Sequence, residues 1–188
     1  GVAGAGTVTL LDAWVGAVST TDTEPSATLT LSAGTGTNRA VVAVVGAEVQ
    51  AVINITDVTY GGSSMTLIGE DFADTGSGYT NLSSEWICDE TCIAGASGSA
   101  VTSVFDAAGH DGGAVLYAAS YDNVNQTTPV FDSVTANAGS ANTISVDVNN
   151  PEGGVTIYGV EFNAITADQT TPPTGFTEHF EDNTGGTG

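Results

Sequence analysis

Apolar and β-branched residues alternate with polar ones from one end of this chain to the other, and no window sustains the i, i+3, i+4, i+7 spacing of an amphipathic helix. A period of two sends successive side chains to opposite faces of a pleated strand, so the pattern dictates an all-β chain. The segments that read as strands are "TVTLLDAWV" (7–15), "ATLTLS" (27–32), "RAVVAVVGAEV" (39–49), "INITDVTY" (53–60), "MTLIGEDF" (65–72), "SSEWIC" (83–88), "AVTSVFD" (100–106), "GAVLYAASY" (113–121), "FDSVTA" (131–136), "TISVDV" (143–148) and "GVTIYGVEF" (154–162). They recur about every dozen residues, separated by clusters of Gly, Ser, Asn, Asp and Pro, which is the spacing of a sandwich or barrel.

Two stretches break the alternation. "AVVAVV" (Ala40–Val45) and "AVLYAAS" (Ala114–Ser120) are apolar on both faces, which places them at the centre of a sheet with material packed on each side. "DVTYGGSSMTLIG" reads as a hairpin turning at Gly61 and Gly62, because Gly reaches positive φ without steric penalty. At 188 residues with no linker and no internal repeat, the chain is expected to form one domain over 1–188, a single antiparallel β-sandwich of jelly-roll or immunoglobulin-like type. A flexible C-terminal tail is expected from about residue 181.

Charge narrows the partners. There are 22 acidic residues against one Lys or Arg, a net charge of −21. Binding a polyphosphate requires cations that displace its counterions, and one Arg does not supply them, so nucleic acid is excluded as a partner. An anionic membrane surface is disfavoured for the same reason, and no apolar stretch reaches the roughly 18 residues that span a bilayer. An acidic surface nearly free of Lys fits a saline or extracellular setting, where hydrated ions screen the repulsion.

"GTNRAVVAVV", "DVTYGGSSMTLIG", "SSEWIC" followed by "IAGASGSAVTSV", and "YDNVNQTTPV" occur in this order over roughly 28–130. Their order resembles a β-sandwich domain that recurs in secreted bacterial proteins and in structural proteins of tailed phages, whose pattern runs "GSNRxLVV", "VTYGGxxLT", a Trp-bearing strand leading to "AGxxxV", and "VDQTTP". The resemblance carries no catalytic signature and implies a carrier, decoration or adhesion module. That pattern usually continues past the position of "GFTEHF" with further apolar strands that this chain lacks, so a neighbouring subunit completing the sheet by strand addition is one expectation, an early end to the domain the other.

The single cation, Arg39, stands directly before a central strand. Its five fixed donors suit it to join carboxylates or to cap loop carbonyls, a structural role; the surrounding acids argue against an anionic ligand. Cys88 and Cys92 form a local disulfide only if the chain turns at "DET", since four extended residues span about 13 Å and a disulfide tolerates about 7 Å between Cα atoms. Such a bridge indicates an oxidising compartment. Acidic and amide side chains in loops, Asp71, Asp74, Asp147, Asn149 and Glu152, are the candidates for calcium, the one cofactor considered, with solvated turns as the alternative. Asn54, Asn81 and Asn125 begin N-x-S/T sequons and are candidates for glycosylation. His110 and His179 follow no zinc spacing and have no evident Ser partner, and no G-x-S-x-G elbow occurs, so no catalytic residue is assigned and the chain is not read as an enzyme. Trp86 and Tyr117 fall in strands with apolar neighbours and are expected to pack in the core.

The expected function is a non-enzymatic structural subunit of an exterior assembly, a virion decoration or tail component or a cell-surface filament subunit. Its partners would be copies of itself or a coat or filament protein, with the N-terminal strand "TVTLLDAWV" among the contacts and the virion or cell exterior as the location. The alternative is a calcium-dependent carbohydrate-binding or adhesion module.

Overall fold

The computed structural model describes residues 6–19, 26–50, 54–74, 79–106, 112–136 and 145–159, with Thr174 and Thr177. His110, His179 and the tail from about residue 181 lie outside the described residues. In chain order the elements are β1 (Thr9–Ser19), β2 (Thr28–Thr30), β3 (Ala40–Gln50), β4 (Ile55–Tyr60), β5 (Ser63–Ser64), β6 (Thr66–Asp74), β7 (Tyr79–Cys88), α1 (Glu90–Gly95), β8 (Ala100–Phe105) and β9 (Gly112–Asp122). They make two antiparallel sheets, ordered β1-β9-β3-β7-β6 and β2-β8-β4-β5, that pack face to face as a β-sandwich.

β3 is the axis of the larger sheet. It pairs with β7 from Val41 opposite Cys88 to Gln50 opposite Tyr79, and with β9 from Ala40 opposite Tyr121 to Val49 opposite Gly112, without a register shift on either side. Its odd-numbered residues Val41, Ala43, Val45 and Ala47 face the second sheet, where they meet a core that includes Leu29, Val58, Tyr60, Val101, Trp86 and Leu116. Its even-numbered residues Ala40 and Val42 join Ile87, Ala119 and Tyr121 on the opposite face, which Val8, Trp14, Ile68, Val130 and Ile157 cover. The loss of alternation in "AVVAVV" therefore has the cause expected of it: both faces are dry, and each fully buried Val contributes about 1.5–3 kcal/mol by leaving water.

The β4–β5 hairpin turns at Gly61 (φ 54°) and Gly62 (φ 85°), placing Tyr60 opposite Ser63 and Thr59 opposite Ser64. Two positive φ values in a two-residue loop are what a type I′ turn requires. A Cβ on Gly61 would also overlap the carbonyl oxygen of Gly98. Buried Met65 then carries the chain across to the larger sheet, its N–H donating to Val58 O at 2.8 Å.

Two expectations need correction. Residues 90–95 form a helix, which the strand pattern did not anticipate. Asp89 caps it by accepting from Cys92 N at 2.9 Å, and Asp at an N-cap is the reason that a turn continues here as a helix. Conversely, 131–136, 145–148 and 154–159 form no strand, although their residues alternate. Val134, Val146, Val148 and Val155 are exposed, and Ser133 Oγ reaches β6 by a side-chain bond to Ile68 O (3.3 Å). Alternation without a partner ladder yields an extended chain and no strand.

Candidate functional site

Three segments distant in sequence meet at Arg39: the loop before β3, the start of α1 and the loop after β9. Asn38 (φ 53°) and Asn123 (φ 58°) adopt the left-handed conformation that Asn tolerates better than most residues. Those turns dock the loop before β3 against the loop after β9, through Asn123 N to Thr37 O (3.0 Å) and Val124 N to Asn38 O (2.9 Å). The guanidinium then forms a fork on Glu90 of α1: Nε donates to Oε1 and Nη2 to Oε2, each at 2.9 Å, while Nη1 donates to Gly34 O at 2.9 Å. Glu90 Oε1 also accepts from the Arg39 backbone N at 2.8 Å. Gln126 closes the circuit, donating to Arg39 O (3.1 Å) and accepting from Glu90 N (2.8 Å). The hydrogen bonds from Arg39 hold the Glu90 carboxyl below its ordinary pKa. The sequence points to a structural role for Arg39 but to neither partner: Glu90 stands within the expected turn "DET", and Gln126 carries no signal beyond its place in "NQTTP".

Glu90 lies inside the ring closed by Cys88 and Cys92, which are disulfide-bonded with Cα atoms 5.2 Å apart. The first turn of α1 provides the chain reversal that the bridge needs. Cys88 is fully buried at the end of β7, so the bridge ties the helix that carries Glu90 to the core. The disulfide fits an oxidising compartment, and no helix among the described residues is long and apolar enough to cross a membrane.

A second polar feature lies on the outer face of the larger sheet. Glu85 of β7 stands opposite Val44 and Gly69, and its Oε1 accepts from Gly159 N at 3.0 Å. Burial pushes the Glu85 carboxyl above the usual carboxylate range, and the bond from Gly159 opposes that only in part. Gly159 lies so close to Val44 that a Cβ would overlap the valine side chain, so the segment ending there crosses the sheet at contact distance.

The calcium candidates fall on β6 and on the stretch 147–152. Asp71 is on β6, where its Oδ1 accepts from Phe72 N at 2.8 Å; Asp74 ends the same strand. Asp147 and Glu152 are exposed, and Asn149 donates twice to Asp132 Oδ2, from N at 3.0 Å and Nδ2 at 2.9 Å. Those bonds hold the Asp132 carboxyl below its usual range. Among the described residues, no three His, Cys, Asp or Glu side chains are grouped to hold a metal ion. Of the sequon residues, Asn54 and Asn125 are exposed and Asn81 is 7% exposed on β7. Trp86 is buried as expected; Tyr117 is only half-buried, packed against Gly16 on the outer face.

The margin of β6 mixes exposed apolar residues with the acids Glu70 and Asp71. β6 ends the larger sheet, with Leu67 40% and Phe72 58% exposed. A groove of about 380 Å³ runs between Thr66–Ile68 and Thr127–Val130, with Ile87 and Asp89 in its lining. Phe131, just beyond the groove, is 67% exposed. Comparisons with protein-family models, with curated proteins and with solved structures return no match.

Proposed function

We propose that this chain is a non-enzymatic structural subunit of an exterior assembly, on a virion or a cell-surface filament, and that it acts through contacts between its sheet margin and neighbouring proteins. The observation that supports this reading is the exposure of Leu67 and Phe72 along edge strand β6. An edge strand offers N–H and C=O groups to a neighbour, and although Glu70, Asp71 and the Ser133 bond to Ile68 O blunt part of this edge, the large apolar side chains exposed along it favour contact. The acidic exterior and the disulfide agree with a location outside the cytoplasm.

Light scattering of the purified chain, with electron microscopy of the native source, tests the reading. The expected result is a defined oligomer or copies seated on a shell or fibre. A strict monomer that binds neither coat nor filament would overturn it, and a glycan-array signal abolished by EDTA would move the reading to a calcium-dependent carbohydrate-binding module.

A further inference from the structure

Asn54, Asn81 and Asn125 each begin the N-x-S/T signal at which an oligosaccharide is joined to asparagine, and the fold treats the three differently. Asn81 lies within β7, paired with Glu48 of β3 on one side and Ala73 of β6 on the other, and is 7% exposed. A residue packed to that extent has no room for a sugar ring on its amide. Asn54 is exposed but fastened to Asp106, its N donating to Oδ1 at 3.1 Å and its Nδ2 to Oδ2 at 2.9 Å. That carboxylate stands against the nitrogen that would react, and its charge repels the phosphate of an activated sugar. Asn125 differs from both. It is exposed, and its Oδ1 accepts from Thr127 N at 2.9 Å and Thr128 N at 3.1 Å, an Asx turn. Oδ1 and Nδ2 point to different sides of the amide, so the bonds that hold the oxygen to the backbone turn the nitrogen away from it. The hydroxyl that the signal requires belongs to Thr127, on the same turn and exposed. Beneath it the loop is anchored: Val124 is buried, its N donates to Asn38 O at 2.9 Å, and Gln126 spans from Arg39 O to Glu90 N. An accessible amide nitrogen is thus presented on a fixed base.

We propose that Asn125 is the N-glycosylation site of this chain and that Asn54 and Asn81 stay unmodified. The donor is a lipid-linked oligosaccharide diphosphate, supplied with its transferase by the cell that exports the chain. In the transfer Nδ2 forms a bond to the anomeric carbon of the first sugar, and the bond from that carbon to the phosphate oxygen breaks. The lipid diphosphate leaves with the electron pair, and one Nδ2 proton passes to a carboxylate of the transferase. Only the nitrogen changes its bonding. Oδ1 keeps its lone pairs, so it still accepts from Thr127 N and Thr128 N and the turn persists in the product. The proposal rests on the exterior location in the assembly reading, since such transfer acts on exported chains.

Glycopeptide mass spectrometry of the chain from its native source, with variants produced in the same host, tests this. The peptide that carries Asn125 is expected to bear a glycan mass, and the peptides that carry Asn54 and Asn81 none. Thr127→Ala keeps the backbone N–H of the turn and removes the hydroxyl of the signal; it should abolish the glycan mass, as should Asn125→Gln, whereas Thr127→Ser should retain it. Thr127 is exposed, so its variants are expected to fold, and circular dichroism checks that they do. A bare Asn125, a glycan mass on Asn54 or Asn81, or loss of the mass in Thr127→Ser overturns the proposal. So does a mass that survives Asn125→Gln, which would place the sugar on a Thr hydroxyl. A chain seated on a coat or filament with Asn125 bare sinks the glycan site and spares the assembly reading; a chain glycosylated at Asn125 that binds neither coat nor filament does the reverse.

Discussion

Arg39 carries five side-chain donors, and the fold directs three hydrogen bonds from them to a single carboxylate and one carbonyl, so its replacement removes a fork and not merely a charge. The pair is partly exposed, 24% for Arg39 and 32% for Glu90, which discounts its worth through solvent screening. Arg39→Met should therefore cost about 1–2 kcal/mol, and Arg39→Lys less. The pH dependence has a definite sign. Glu90 has a lowered folded pKa, so its contribution is present above the unfolded carboxylate pKa of 4.5 and disappears as pH falls through the folded value. Urea midpoints of wild type and Arg39→Met should differ at neutral pH and converge in acid; a constant gap would refute the account. Glu85 gives the opposite sign. Burial raises its folded pKa, so its stabilising effect is full below the unfolded pKa and is lost as pH rises through the folded one. Glu85→Gln keeps an acceptor for Gly159 N without the buried charge. The variant should equal or exceed wild type in urea midpoint at neutral pH and lose that advantage on acidification.

At the scale of elements, α1 and its disulfide act as one unit. The five-residue ring from Cys88 to Cys92 encloses Glu90, so cutting it loosens the helix that carries the partner of Arg39. On the chain-entropy model a ring this small is worth about 2 kcal/mol. A Cys88→Ala/Cys92→Ala chain should unfold at correspondingly lower urea, and hydrogen exchange at Cys92 N and Ile93 N, which donate to Asp89, should quicken before exchange in β3 does. Uniform acceleration across both would contradict local tethering. The strands other than two-residue β5 were legible because alternation reports directly on which face is dry, and the two-faced runs of β3 and β9 reported on both. α1 was not, since six residues give too few turns for a helical period to register and its capping Asp89 looked like any turn residue. The false strands, 131–136 above all, show the converse limit: alternation records a preference, and the hydrogen-bond ladder depends on an edge elsewhere in the chain that no local window contains. The candidate site was legible at Arg39 and at the two cysteines, whereas Glu90 and Gln126 acquire their roles only by distance, 51 and 87 residues from Arg39 in sequence.

For the whole molecule the governing quantity is charge. One ion pair, Arg39–Glu90, is found among the described residues, against a net charge of −21. Salt acts on these in opposite directions. It weakens the pair, worth at most about 1 kcal/mol when partly exposed, and it screens repulsion among the remaining carboxylates, whose mutual interaction reaches across about 30 Å at 0.01 M salt and about 3 Å at 1 M. Many weak repulsions outweigh one attraction, and compaction is what brings the charges together, so the folded state gains more from screening than the unfolded chain. The urea midpoint should therefore rise as sodium chloride is raised from about 0.01 M to 1 M, with the m-value unchanged because the surface exposed on unfolding is the same. Sucrose at equal osmolality supplies exclusion from the surface without ions, and it separates screening from a general stabilising effect of cosolute. A midpoint that stays flat or falls with salt, while sucrose still raises it, would mean that the acids are already neutralised in the fold, and the picture of an unpaired anionic exterior would have to be abandoned.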